Sequence, residues 1–223
     1  MTNFYLRLLW ITALVCLSYV GFCQPNEITI KFIGNCGLYL TDSKSNIYID
    51  FPYKSGAHHY MEYDKLELDS IKENATFIFT HKHADHYSRK LLRQCKGKKY
   101  GPWNIAEITN IKNTIPDFNI EAFRTEHKVF GVSFKHYSYL ITWHNKRIFI
   151  SGDTEKADTV ARVHQIDWLF APAWLVIDAK NKQLKIDATK IAVYHIGQRD
   201  RITTSYDYIK LLNKSGEVIT IPY

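Results

Sequence analysis

The stretch Ala75-Thr76-Phe77-Ile78-Phe79-Thr80-His81-Lys82-His83-Ala84-Asp85-His86 decides how the rest of the chain is read. Its first half is short, apolar, aromatic and β-branched, so it predicts a buried strand. Its second half puts three imidazoles and a carboxylate on one short piece of backbone. His81 and His83 are two apart, and an extended backbone at the strand's end points both to one side. Asp85 and His86 fall where the chain turns, so they face a second point nearby. One metal ion cannot comfortably use all four donors; two adjacent ions can. The competing reading is an exposed strand-to-helix loop rich in histidine by accident. Matching ligands elsewhere in the chain weigh against it.

The chain has 223 residues, a length for one domain or a tight pair. Residues 1–23 read as a removable segment: Arg7 gives a short positive start, Leu8 to Val20 is almost uninterruptedly apolar, and polar Gln24-Pro25-Asn26-Glu27 comes next. Gly21 and Cys23 stand three and one residues before a cut, as in a secretory signal peptide. A retained anchor fits less well, because spanning about 30 Å of hydrocarbon takes roughly 20 apolar residues. A lipoprotein signal is disfavoured by Phe22 before Cys23 and Val15 before Cys16. The expectation is an exported protein, periplasmic or secreted, with residues 24–223 as one domain and no stable membrane span after cleavage. Loss of the lone Arg7 takes the formal charge from +7 to +6. That modest excess favours an anionic substrate or acidic surface no more than it favours a solvated basic face. No basic run with interleaved aromatics suggests a nucleic-acid groove. Cys36 and Cys95 remain after cleavage, free to pair in an oxidising compartment and as readily present as two thiols.

Along the chain, 28–33, 37–41 and 46–50 predict strands of an antiparallel meander, turned at Asp42-Ser43-Lys44-Ser45. Further strands are expected at 75–80, 98–101, 118–125, 129–135, 137–143, 147–151, 168–170, 190–196 and 218–222. Helices are expected at 64–72, 87–95, 103–112, 153–163, 179–186 and 205–213. Strands come first in a block and then alternate with helices, and the alternation resumes in the second half. This order suggests two similar αβ halves facing each other.

Four local ligands need two or three more for a binuclear site. Asp153 is the strongest candidate, because the strand Arg147-Ile148-Phe149-Ile150-Ser151 and the turn at Gly152 bring it to an open edge. A carboxylate there can bridge two cations, one oxygen to each; the alternative is the N-cap of a following helix. His81-Lys82-His83-Ala84-Asp85-His86, then Ser151-Gly152-Asp153-Thr154, then a strand-end His195, together resemble the metallo-β-lactamase superfamily of metal-dependent hydrolases. Phe32-Ile33-Gly34-Asn35-Cys36-Gly37-Leu38-Tyr39-Leu40 and Ile47-Tyr48-Ile49-Asp50 are similar to that family's opening strands. The lactonase and phosphodiesterase-like branch is the nearer one. The resemblance implies an α/β fold, a four-layer αββα sandwich. It also implies that His81 and His83 bind one metal with a third histidine, that Asp85, His86 and His195 bind a second, and that Asp153 bridges. The third histidine is chosen among His127, His136, His144 and His164. His144 sits in a turn and His164 near a helix end, so both read as surface residues, and His127, ending a strand ahead of the hairpin to Asp153, is preferred over His136. His58 and His59 stay outside the set.

Nitrogen and carboxylate ligands suit two divalent ions, zinc first, with manganese or iron as alternatives. Such ions lower the pKa of a shared water from about 15.7 toward 7, and the resemblance gives Asp85 a catalytic role in orienting it. Hydrolysis of an ester-like bond in a small molecule, a lactone or a phosphodiester, is the expected activity. A metal-binding sensor without turnover and an iron oxidoreductase on the same ligands are the competing functions. No G-x-S-x-G elbow points to a serine mechanism. Tyr53, Trp103 and Trp174 are candidates for an aromatic pocket lining, or simply for the core.

Overall fold

The computed structural model describes residues 26–197 and 199–223; the expected signal peptide lies outside these residues. Two six-stranded sheets carry the chain. The first takes β1 (Glu27–Gly34), β2 (Gly37–Thr41), β3 (Asn46–Ile49), β4 (Thr76–Ile78), β5 (Lys98–Tyr100) and β14 (Val218–Pro222), in the order β14-β1-β2-β3-β4-β5. The second takes β6 (Phe118–Thr125), β9 (His136–Trp143), β10 (Lys146–Ile150), β11 (Ile166–Pro172), β12 (Ala188–Tyr194) and β13 (Ile209–Leu211), in the order β13-β12-β11-β10-β9-β6. Each sheet begins antiparallel and turns parallel: β3, β4 and β5 run together in the first, and β10 to β13 in the second. The two expected halves are these two sheets.

Period-two alternation decides which face of each strand is buried. Ile28, Ile30 and Phe32 of β1 and Ile47 and Ile49 of β3 form one core with Ile120, Tyr139, Ile141, Ile148 and Ile150 of the facing sheet. The outer face of the second sheet, with Leu140, Phe149, Leu169 and Ile191, is covered by Leu175 and Ala179. The outer face of the first, with Tyr48, Phe77 and Phe79, meets Leu92 and Tyr63. The result is the expected four-layer α/β sandwich, with thin outer layers. The helices are α1 (Leu66–Asp69), α2 (Arg89–Leu92) and α3 (Ala173–Asn181), and a 3-10 run covers Ile105–Asn113 where a helix is expected over 103–112. Among the described residues no helix is long and apolar enough to cross a membrane.

Four expectations are corrected. Residues 153–163 do not form a helix, because side chains take the backbone N–H groups that would close its turns. Ala157 donates to Asp178 Oδ2 at 2.8 Å, and Lys156 donates to Thr154 Oγ1 at 3.4 Å. Only Val160–Arg162 makes a 3-10 turn. The helix expected at 179–186 lies earlier: Pro172 ends β11 in an extended conformation, α3 starts at once, and Gln183 at φ 55 keeps the helix from continuing. The helix expected at 205–213 is instead the edge strand β13, where pairing of Ile209 with Ile191 and of Leu211 with Val193 outweighs a weak local helical pattern. The strand expected at 129–135 is a two-stranded hairpin, β7 (Lys128–Val129) and β8 (Val132–Ser133). Phe130 and Gly131 turn it, both at positive φ (49 and 79), as a two-residue hairpin turn requires.

Candidate metal centre

The C-terminal edges of the parallel strands gather the donors, where open α/β sheets present their ligands. His81 follows β4, His127 follows β6, Asp153 follows β10, and His195 follows β12. One ligand atom from each of His81, His83 and His127 lies within 4.8 Å of the others, and the same holds for Cys36, His86, Asp153 and His195. Asp153 Oδ2 stands between the two groups, 3.7 Å from His81 Nε2, 3.0 Å from His86 Nε2 and 3.2 Å from His195 Nε2. Its other oxygen, Oδ1, faces Cys36 Sγ at 3.8 Å. Asp85 Oδ2 approaches His195 Nε2 at 3.2 Å and His86 Nε2 at 3.6 Å.

Three of the imidazoles, His81, His86 and His127, are aimed by a partner on the far nitrogen, whereas His195 Nδ1 is buried without one. His86 Nδ1 lies 2.9 Å from Asp50 Oδ2. Asp50 also accepts the Thr80 N–H and hydroxyl, both at 2.7 Å, and Thr80 Oγ1 lies 3.0 Å from His81 Nδ1. His127 Nδ1 lies 3.0 Å from Glu155 Oε1, which turns Nε2 toward His83 Nδ1 at 3.2 Å. Such far-side partners set the tautomer and orient the metal-facing nitrogen.

His136, the competing third histidine, has both nitrogens engaged within the protein. Its Nε2 accepts the Asp153 N–H at 2.9 Å, so Nδ1 carries the proton and donates to Thr125 Oγ1 at 2.7 Å. Thr125 passes the bond to Ser138 Oγ (3.1 Å), and Ser138 donates to the Ser151 carbonyl (2.7 Å). Burial holds the His136 pKa down to about 3, which keeps the ring neutral and Nε2 an acceptor. His144 lies at the far end, 3.0 Å from Asp42 Oδ2, and His164 is exposed beside Asp187. Neither reaches the centre. His58 is also outside both groups; its Nε2 stands 3.9 Å from Asp85 Oδ1 at the cleft mouth.

The donor chemistry fits cations. The Nε2 atoms of His81, His86 and His195 are buried without a hydrogen-bond partner, despite the nearby carboxylates. A buried polar atom left unpaired costs about 1–3 kcal/mol, and three on one spot imply a common missing partner. Burial acts against ionised Asp153, but the positive fields of His195 and His86 outweigh it and hold the carboxyl well below its ordinary range. Burial likewise opposes charge on His86, yet Asp153, Cys36 and Asp50 push it well above the usual histidine range. The acidic groups therefore demand positive charge where a divalent ion would sit.

A cleft of ≈ 380 Å³ opens over these residues, lined also by His58, Tyr60, Val129, Phe130, Glu155 and Trp174. Tyr60 and Trp174 pack edge-on against His195, with ring centroids at 4.0 and 5.1 Å. Trp174 is thus a lining residue, whereas Tyr53 is core and Trp103 packs at a tilt against Phe79 and Tyr87 and does not line the cleft. Cys36 and Cys95 are both free, in different hydrophobic clusters.

Asp50, Thr80, Asn35 and Glu155 were not legible as site residues from the sequence, and His136, weighed there as a ligand, instead holds the Asp153 backbone. The one signal was Asp50 closing the apolar run Ile47-Tyr48-Ile49, a carboxylate where a strand end is expected to be buried.

No protein-family model matches the chain, and no curated protein does. Solved structures match over most of its length. Igni18, a metallo hydrolase from the archaeon Ignicoccus hospitalis, is 14% identical with a TM-score of 0.66, over 88% of this chain and 99% of that one. The metallo-beta-lactamase fold protein YhfI from Bacillus subtilis is 13% identical with a TM-score of 0.61, over 87% and 99%. Isothiocyanate hydrolase from Delia radicum gut bacteria is 14% identical with a TM-score of 0.62, over 87% and 100%. The fold of this chain is the metallo-β-lactamase fold.

Proposed function

We propose that this protein is a metal-dependent hydrolase whose two divalent ions, zinc first, share Asp153. His81, His83 and His127 would hold one ion, and Asp85, His86 and His195 the other. The observation that carries the reading is Asp153 Oδ2 standing between two histidine groups whose buried Nε2 atoms lack partners. Two ions so placed would lower the pKa of a shared water and polarise a carbonyl or phosphoryl oxygen. Asp85, hydrogen-bonded by Asn35 Nδ2 (3.3 Å to Oδ2), orients the attacking water from the cleft side. Asp50 and Glu155 hold the imidazoles in register, and His136 holds the Asp153 backbone. Solved metallo-hydrolases of the same fold, an isothiocyanate hydrolase among them, support hydrolysis over a sensor without turnover.

A cleft of ≈ 380 Å³ suits a small molecule. No Lys or Arg lines it among the described residues, so the basic excess of the chain lies elsewhere, and an anionic substrate would be held by the ions alone. A neutral lactone-like ester therefore fits better than a phosphodiester, and Tyr60 and Trp174 supply its apolar walls. Export, read from residues 1–23, belongs to the same proposal.

The test is turnover of a lactone and phosphodiester panel by the zinc-loaded protein and by His83→Ala. Lactone turnover lost by at least about 100-fold in a folded variant supports the proposal. Equal turnover by the variant refutes it. Two bound ions with no turnover of any ester favour the sensor, and a coloured, redox-active iron form favours the oxidoreductase.

A further inference from the structure

Cys36 sits at the floor of the second donor group, at the β1–β2 turn, with no exposed surface. A buried cysteine is ordinarily a small apolar side chain. Here three observations set it apart. Its sulfur lies within 4.8 Å of ligand atoms of His86, Asp153 and His195. Asp153 turns Oδ1 toward it at 3.8 Å while Oδ2 serves the histidines. The Nε2 atoms of His86 and His195, both buried, have no hydrogen-bond partner in the same cluster.

The spacing is that of one coordination shell. Ligand bonds of about 2.0 Å to nitrogen or oxygen and about 2.3 Å to sulfur, at tetrahedral angles, separate donor atoms by roughly 3.3 to 3.5 Å in a set with one sulfur, so the distances that follow lie within about 0.3 Å of it. The donors are 3.0 Å apart for His86 and Asp153, 3.2 Å for His195 and Asp153, and 3.8 Å for Cys36 and Asp153.

We propose that Cys36 is a thiolate ligand of the second ion, completing a Cys36–His86–Asp153–His195 set. On binding, the sulfur–metal bond forms and the thiol proton leaves to solvent; no oxidation is involved. A soft sulfur donor selects zinc, cobalt(II) or iron(II) over manganese and magnesium at this position. Cys36 then takes the place among the second ion's ligands proposed for Asp85, and Asp85, 3.2 Å from His195 Nε2 and hydrogen-bonded by Asn35, faces the water.

The inference rests on the proposed two-ion centre, and cobalt(II) titration of the metal-free protein separates the two. Expected are two ions per chain and, with the second, a thiolate-to-cobalt charge-transfer band in the near ultraviolet. The band disappears in Cys36→Ser and stays in Cys95→Ser, and manganese binds the second position at least about 10-fold more weakly than zinc. Two bound ions without the band in the unmodified protein overturn the thiolate ligand and leave the two-ion centre standing. A band that survives in Cys36→Ser also overturns it. Failure to bind two ions removes both. The unmodified protein's spectrum decides the matter even where Cys36→Ser does not fold.

Discussion

Which nitrogen an imidazole presents is decided by what holds its other one. His127 and His136 differ in just this respect: Glu155 occupies Nδ1 of His127 and leaves Nε2 to the centre, whereas His136 spends both nitrogens on Thr125 and the Asp153 backbone. Both lie beside the hairpin before Asp153, so their spacing in the sequence could rank them only weakly. By contrast, His81, His83, Asp85 and His86 lie within six positions, and their grouping needs no tertiary information. Gly152 has the same local logic. Its φ is +60, and a Cβ there would stand 2.4 Å from His136 Nε2 and 2.9 Å from Thr80 Cβ. Gly152→Ala is expected to cost roughly 2–4 kcal/mol in urea unfolding and to weaken binding of both ions, since it displaces the residue they share.

At the scale of elements, strands were more fully legible than helices, of which α1 and α2 fall inside the expected 64–72 and 87–95. Alternating apolar residues mark β1 and β6, and largely apolar buried runs mark β9 and β12, independently of their neighbours, whereas the helical expectations at 153–163 and 205–213 failed where a side-chain acceptor or a sheet edge offered the backbone a better partner. The β7–β8 hairpin places Phe130 fully exposed at the cleft rim. Phe130→Ser is expected to change unfolding free energy by less than about 0.5 kcal/mol and to raise KM with little change in kcat. At the opposite end, Asp42 in the β2–β3 turn faces His144 in the β9–β10 turn and so ties one sheet to the other. It accepts the Lys44 and Ser45 N–H groups at 3.0 and 2.7 Å. Burial opposes its charge, but the His144 bond and the Ser45 and Lys44 N–H groups outweigh it and hold its carboxyl below the ordinary 3.8. A depressed carboxylate stabilises the fold above its unfolded-state pKa, and that stability is lost as pH falls through the folded value. Asp42→Asn should therefore cost about 1 kcal/mol at pH 7, a difference from the unmodified protein that vanishes in acid unfolding curves below the carboxylate range.

For the whole molecule, facing sheets bring their strand ends to a single rim, and the donors on that rim come from positions as far apart as Cys36 and His195. The two facing halves were legible because the strand-first, then alternating, order repeats, and the family resemblance implied the four layers. The inter-sheet contact of Cys36 with Asp153 and the pairing of Asp50 with His86 at neighbouring strand ends were not legible, since nothing local in the sequence states which strand ends will meet. Burying imidazoles with unpaired nitrogens makes the metal-free fold the weaker one, so removing both ions by chelation should lower Tm by roughly 15–30 °C where each was held at about 1,000 times its Kd. Metal stoichiometry tests the centre most directly. Mass spectrometry of the native protein loaded with zinc should give two ions per chain, and His127→Ala should retain the one held by His86, Asp153 and His195. A single ion in the unmodified protein, or loss of both on changing His127 alone, would contradict two adjoining sites that share Asp153.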